Sequence, residues 1–172
     1  MSEQQKNSKG FVVLSPQKQA ALMCAMAAER HVDQVDAQGD PYIYHCQKVM
    51  HYVRKLRPDD YELHAIAMGH DMIEDTKSTY QELYERGFSD RTIDGIRGLT
   101  NVVGETEEEK MDRVLANVDS CIVKAGGDLR HNTDIRRGKG LRPKDFARLE
   151  KYHTRYARIK THLRDNHGII LY

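Results

Sequence analysis

Six consecutive residues, His70-Asp71-Met72-Ile73-Glu74-Asp75, concentrate one imidazole and three carboxylates. If the segment is helical, at about 100° per residue its four polar groups fall within roughly 140° of one face, with His70 above Glu74 and Asp71 above Asp75. Carboxylates so arranged repel one another, and burial penalises each charge further. The preceding stretch, Leu63 to Gly69, is largely apolar, which suggests a helix entering the core just where the acids begin. A buried acid cluster needs a cation or a proton. The competing reading is a solvated helix end carrying surface acids, and this segment alone leaves the two level.

Two further stretches bear on that choice. His45 follows Pro41-Tyr42-Ile43-Tyr44 near a helix start; a lone histidine there is ordinarily a packed or surface side chain. Asp128-Leu129-Arg130-His131-Asn132 follows the apolar Cys121-Ile122-Val123. Asp128 and Asn132 stand one helical turn apart. Asp can ligate a metal, and Asn can orient it or hydrogen-bond a phosphate oxygen, although an Asp capping a short helix is equally ordinary.

Taken in order, His … His-Asp … Asp resembles the HD superfamily of metal-dependent phosphohydrolases. His31-Val32-Asp33-Gln34 with Gly39-Asp40-Pro41-Tyr42-Ile43-Tyr44-His45 is similar to that family's H-x-G-Q … G-x-P-Y-I-x-H. His70 to Thr76 matches H-D-x-x-E-D-T, Leu99-Thr100 fits L/V-T, and Asp128 to Asn132 fits D-x-x-H-N. Together they resemble the hydrolase domain of the RelA/SpoT homologues, including small stand-alone alarmone hydrolases, over roughly residues 20–160. The resemblance implies His45, His70, Asp71 and Asp128 as metal ligands, with Mn²⁺ as the cofactor. Two imidazoles and two carboxylates suit an intermediate divalent cation with open positions. Glu74 and Asp75 would handle the attacking water. Asn132 would support the site, Tyr42 would lie near the nucleotide, and Arg148 with Tyr152 on the last helix would reach the substrate. Arg148 and Tyr152 are equally compatible with an ordinary amphipathic helix.

The implied reaction removes the 3′-pyrophosphate of (p)ppGpp, giving GDP or GTP. Some positions depart from the family. Ala37 and Asn101 stand where basic residues are common, Cys46 replaces a proline after His45, and Gly69 stands within the usual A-L-L-H-D. The usual K-L-A-D becomes Lys124-Ala125-Gly126-Gly127-Asp128, one residue longer. No implied ligand is lost. Fewer basic residues weaken phosphate recognition, so other substrates stay open: the 2′-phosphate of NADPH, another 3′-phosphorylated nucleotide, or a nucleoside 5′-monophosphate. A non-catalytic nucleotide-binding module is the reading from another class. Arg136, Arg137 and Lys139 could supply the missing charge or form a solvated run.

These residues need helices to hold them. Ser15-Pro16 reads as a helix start, with a helix running towards Val32. A second helix follows Pro41 and ends at Arg57-Pro58. Asp59 and Glu62 form a candidate capping box for a third, which carries Leu63, Ile66, Ala67, Met68 and Ile73. Thr79 starts a short helix closed by Gly87, and Ser89 starts one with Ile93 and Ile96. Residues 98–104 read as a loop, 105–118 as a helix, 121–123 as a buried helical segment and 136–140 as a basic loop. A final helix runs from Pro143 to about Leu163. The expectation is an all-α, HD-domain helical bundle of one domain, residues 15–172, after a flexible segment, 1–14.

The composition fits that picture. The 172 residues carry 27 basic and 26 acidic side chains and a net charge of +1. No global basic field or basic–aromatic stripe argues for nucleic acid. Three dispersed cysteines form no C-x-x-C pair, which fits a reducing compartment. The polar first ten residues lack the apolar run of a signal peptide, and no stretch approaches the ~18 apolar residues of a membrane span. A cytoplasmic protein with no membrane association and no synthetase domain is expected.

Overall fold

The computed structural model describes residues 5–138 and 141–171, with the backbone alone for 135–138. Ten helices follow in order among these residues. They are α1 (Pro16–Arg30), α2 (Ile43–Leu56), α3 (Tyr61–Gly69), α4 (Met72–Asp75), α5 (Tyr80–Glu85), α6 (Asp90–Leu99), α7 (Glu107–Leu115), α8 (Val118–Val123), α9 (Leu129–Gly138) and α10 (Pro143–His167). A single π turn, Lys124–Asp128, joins α8 to α9. The described residues contain isolated bridges but no strand, so the all-α expectation holds. No described helix is long and apolar enough to cross a membrane.

α3 is the centre of the bundle. Every residue from Leu63 to Gly69 is buried, as a helix apolar on all sides requires. It packs against α1, α2, α6 and α8, and Met23, Val49, Ile93 and Cys121 fill the space around it. The glycine at 69 has a partner in this packing. A Cβ there would lie 2.6 Å from Met23 Sδ, so the thioether occupies the room a larger side chain would take. Arg91 fastens the start of α3 from outside, reaching Asp60 at 2.6 Å, Asp119 at 2.8 Å and Glu62 at 3.3 Å.

Several local expectations are met. The side chains of Ser15, Thr79 and Ser89 cap α1, α5 and α6 by accepting from Lys18, Glu82 and Thr92 backbone N–H groups. Others are corrected. The cap of α3 is Asp60, whose carboxylate accepts from Leu63 N at 3.1 Å; Glu62 instead accepts from the Ser89 hydroxyl. The helix expected over 105–118 stops at Leu115, because Asn117 accepts from Ser120 N at 2.9 Å and starts α8. α9 continues through Gly138, so the basic stretch begins in helix rather than loop. The side chains of Arg136 and Arg137, and all of Lys139, lie outside the described residues. α10 runs to His167, one turn beyond the expected end.

The segment before α1 is not loose from residue 5 onward. Buried Asn7 donates to the carbonyls of Tyr84 and Phe88 at 3.0 and 3.1 Å, Ser8 N donates to Asp90, and Leu14 N reaches the Gly87 carbonyl. Polar composition suggested a free tail, but these side-chain and backbone groups find partners on the α5–α6 corner.

Candidate metal centre

The continuous helix expected through the acids breaks at its most important point. α3 ends at Gly69, His70 is its C-cap, and Asp71 takes φ −105° and ψ 1° before the short α4. That backbone region is sparsely populated and recurs at active-site residues. The break separates the four polar groups. His70 is 2% exposed and Asp71 is largely buried with it, whereas Glu74 and Asp75 stand at the exposed rim.

The first turn of α2 brings His45 to this break, and the π turn brings Asp128. His45 Nε2 lies 3.1 Å from His70 Nε2. Asp71 Oδ2 lies 2.9 Å from His70 Nε2 and 3.5 Å from His45 Nε2. Asp128 Oδ1 is 3.6 Å from His45 Nε2 and 4.0 Å from His70 Nε2. The donor atoms of His45, His70 and Asp71 all fall within 4.8 Å of one another; Asp128 closes in on the two imidazoles from a slightly wider position. Ligand atoms held about 2.1 Å from one cation and subtending 90–110° sit roughly 3.0–3.4 Å apart. The His–His and His–Asp71 separations bracket that range, so the donor set fits a single divalent cation.

The register of Asp128 depends on the π turn. One residue inserted into an α-helix would rotate everything after it by about 100°. A π turn absorbs the extra residue in one widened turn. Here it spans Lys124–Asp128, and Asp128 faces His45 of α2. Gly127 makes the close approach possible, since a Cβ there would lie 2.7 Å from Val49 Cγ1 and 3.0 Å from the Val49 carbonyl oxygen.

Three of the four ligands are held from behind. His70 Nδ1 lies 2.8 Å from the Ala67 carbonyl oxygen, which places the proton on Nδ1 and leaves Nε2 for a cation. The Tyr42 hydroxyl donates to Asp71 Oδ2 at 2.6 Å. Lys124 Nζ pairs with Asp128 Oδ2 at 2.6 Å. Asn132 Nδ2 donates to Asp128 Oδ1 and, at 3.1 Å, to the Asp128 carbonyl. Gln34, part of the first sequence motif, donates to the Asp75 carbonyl at 2.6 Å and meets His31 Nδ1 at 2.7 Å.

The charges are strongly interdependent. Burial opposes protonation of His70, but the Asp71 and Asp128 carboxylates overcome it and raise its pKa to about 9. Burial likewise works against the Asp71 charge, yet His70 and His45 hold that carboxyl well below its usual range. Lys124, followed by His70 and His45, outweighs burial to lower the Asp128 carboxyl. Burial first, and His45 next, lowers His131 to about 4. Asp75 moves up, through partial burial and then the Asp71 and Glu74 charges.

No protein-family model matches the chain. Over 132 residues it is 35% identical to a probable GTP pyrophosphokinase of Mycobacterium leprae, covering 72% of this chain and 16% of that protein. Over 76 residues it is 37% identical to a guanosine-3′,5′-bis(diphosphate) 3′-pyrophosphohydrolase of Aquifex aeolicus, covering 44% and 11%. Over 105 residues it is 29% identical to the bifunctional (p)ppGpp synthase/hydrolase SpoT of Escherichia coli K12, covering 61% and 15%. The chain thus spans between about a tenth and a sixth of the length of these curated relatives. A solved structure described as "A metazoan ortholog of SpoT hydrolyzes ppGpp and plays a role in starvation responses" superposes with a TM-score of 0.66 at 19% identity, over 91% of this chain and 92% of that one. In sequence the chain is similar to parts of these relatives, and it shares the fold of that solved structure.

Within this fold the four expected ligands converge, and Asn132 stands behind Asp128. Tyr42 was expected beside a nucleotide, but its hydroxyl is turned onto Asp71. Arg148 is exposed on α10 and forms no hydrogen bond or ion pair among the described residues. Tyr152 lines a separate cavity of about 310 Å³ with Leu129, Arg130, Thr133 and Tyr156. Sequence reasoning assigned no role to Lys124 or Gln34, although both lie inside the motifs it used. It read Asn101 only as a missing base. Asn101 is in fact hydrogen-bonded to Glu74.

Proposed function

We propose that this domain is a metal-dependent nucleotide phosphohydrolase that removes the 3′-pyrophosphate of (p)ppGpp, with Mn²⁺ as its cofactor, in the cytoplasm. The convergence of His45, His70, Asp71 and Asp128 beside two rim carboxylates carries the reading. The names of the curated relatives support the choice of substrate.

When bound, a divalent cation offsets charge on phosphoryl oxygens and makes water a stronger acid. The chain's own residues do the rest. The Ala67 carbonyl keeps His70 in the ligating tautomer, and Tyr42, Lys124 and Asn132 hold the two carboxylates. Glu74 and Asp75, at the rim, take the proton of the attacking water. Water adds at the phosphorus bonded to the 3′ oxygen; that P–O bond breaks, the 3′ oxygen gains a proton and pyrophosphate leaves. Arg148 and Tyr152 on α10 contact the nucleotide.

The test is turnover by purified protein with Mn²⁺ on ppGpp, NADPH and nucleoside monophosphates, measuring phosphate and pyrophosphate separately. Pyrophosphate from ppGpp is expected. Intact ppGpp alongside cleavage of another nucleotide would sink the substrate assignment, and silence on all of them would sink the enzyme assignment.

A further inference from the structure

Glu74 is the rim carboxylate with the most specific partner. Asn101, in the loop after α6, donates its backbone N–H to Glu74 Oε2 at 3.1 Å and its side-chain amide to Glu74 Oε1. One residue therefore engages both carboxylate oxygens across 27 positions of sequence. The Asn101 amide is itself oriented, because Lys110 Nζ on α7 donates to Asn101 Oδ1. An ammonium has only donors to offer, so it must face the amide oxygen, and the amide NH₂ must then face Glu74. Lys110 is half-buried, and its position near Lys124 and Arg155 lowers its pKa after burial has done so.

We propose that Asn101 is a positioning residue for Glu74, with Lys110 fixing the orientation of its amide. This rests on the role of Glu74 in the proposed hydrolase. A free glutamate side chain samples many rotamers, and clamping both oxygens removes that freedom before substrate arrives. A carboxylate offers about four acceptor positions, so two donors leave lone pairs for a water proton. The neutral amide orients Glu74 without placing a cation on it, which would hold the carboxylate in its charged form and make it a poorer proton acceptor. The basic residue instead stands one hydrogen bond further away.

The experiment is a double-mutant cycle with Asn101→Ala, Lys110→Met and the pair, at saturating metal, on whichever nucleotide the wild type turns over. Asn101→Ala is expected to lower kcat roughly 10- to 100-fold with KM within about twofold, part of the 10²–10⁴ typical of a proton-handling group. Lys110→Met is expected to lower kcat about threefold to tenfold alone and to add nothing to Asn101→Ala, the non-additivity of residues in one chain of contacts. Lys110→Arg, which keeps a donor for the amide oxygen, should restore most of the loss. Unchanged kcat in Asn101→Ala, multiplying effects in the pair, or a Lys110→Met defect confined to KM would overturn the proposal; the last would make Lys110 a phosphate ligand. A substrate-free readout separates this from failure of the hydrolase reading. The Asn101 side-chain amide protons in the NMR spectrum of the free protein should shift on Glu74→Gln. If they do not, the clamp is wrong even in an active enzyme; if they do in a protein without turnover, the hydrolase reading alone has failed.

Discussion

Tyr42→Phe removes a single oxygen and leaves the ring where it packs, 5.0 Å from the His31 ring and 5.2 Å from the His45 ring. What is lost is the 2.6 Å hydrogen bond from the Tyr42 hydroxyl to Asp71 Oδ2. A hydrogen bond to a charged group contributes about 1.5–3 kcal/mol, equivalent to roughly 10- to 100-fold in an equilibrium constant. Asp71 already accepts this bond without a cation, so part of its effect cancels in binding. Groups behind a ligand typically change metal affinity about 10- to 100-fold, and the low end, about 10-fold, is expected here. Calorimetric titration of Mn²⁺ into both proteins measures it, and ppGpp kinetics at saturating metal complete the comparison. Weaker metal binding with KM within about twofold is the expected pattern, since positioning of a ligand precedes substrate. Unchanged metal affinity with a raised KM would refute the reasoning and return Tyr42 to the nucleotide.

Other perturbations follow from the same geometry. Asp71→Ala removes a ligand, so metal binding and turnover should fall together by calorimetry and steady-state rates; separate losses would remove Asp71 from the ligand set. Glu74→Gln should keep metal while losing most turnover, on the order of 10²-fold or more; full kcat would end its proposed role. His70 has a folded-state pKa raised from 6.5 to about 9. Its protonation therefore stabilises the metal-free fold fully below about pH 6.5, and that contribution, about 3 kcal/mol, is lost as the pH rises to about 9. Thermal melts should show the metal-free protein weakening across that window while the Mn²⁺ form, with the proton displaced, does not; parallel curves would contradict this. Gly127→Ala forces a Cβ against the Val49 carbonyl oxygen and should lower stability by about 1–3 kcal/mol, or roughly 2–12 °C in Tm at this chain length. An unchanged melt would show that α2 yields easily.

Much of the helical frame was legible because its signals are local. Ser15, Thr79 and Ser89 cap helices in the structure as their side-chain chemistry suggests, within three residues of the groups they satisfy. The break at His70 and Asp71 was not legible. No proline stands there, the single glycine at 69 does not by itself end a helix, and periodicity continues smoothly through Ile73 and Asp75. The chain turns because α3 is buried from Leu63 to Gly69, while Glu74 and Asp75 need solvent that the core cannot supply. The length change before Asp128 was visible, but not its consequence. Whether an added residue rotates a helix or widens one turn depends on what the helix packs against, here Val49 and Leu56 of α2.

The sequence by itself determined which donor atoms are present, their order along the chain and the helices available to carry them, because residue type and capping act over a turn or less. Only the tertiary structure decided their partners. Tyr42 meets Asp71 across 29 positions, Asn101 meets Glu74 across 27 and Gln34 meets the Asp75 backbone across 41. Such pairings are set by how helices pack, and packing is a property of the whole core: the free energy that brings these groups together comes from burying Met23, Ile66 and Ile93 elsewhere.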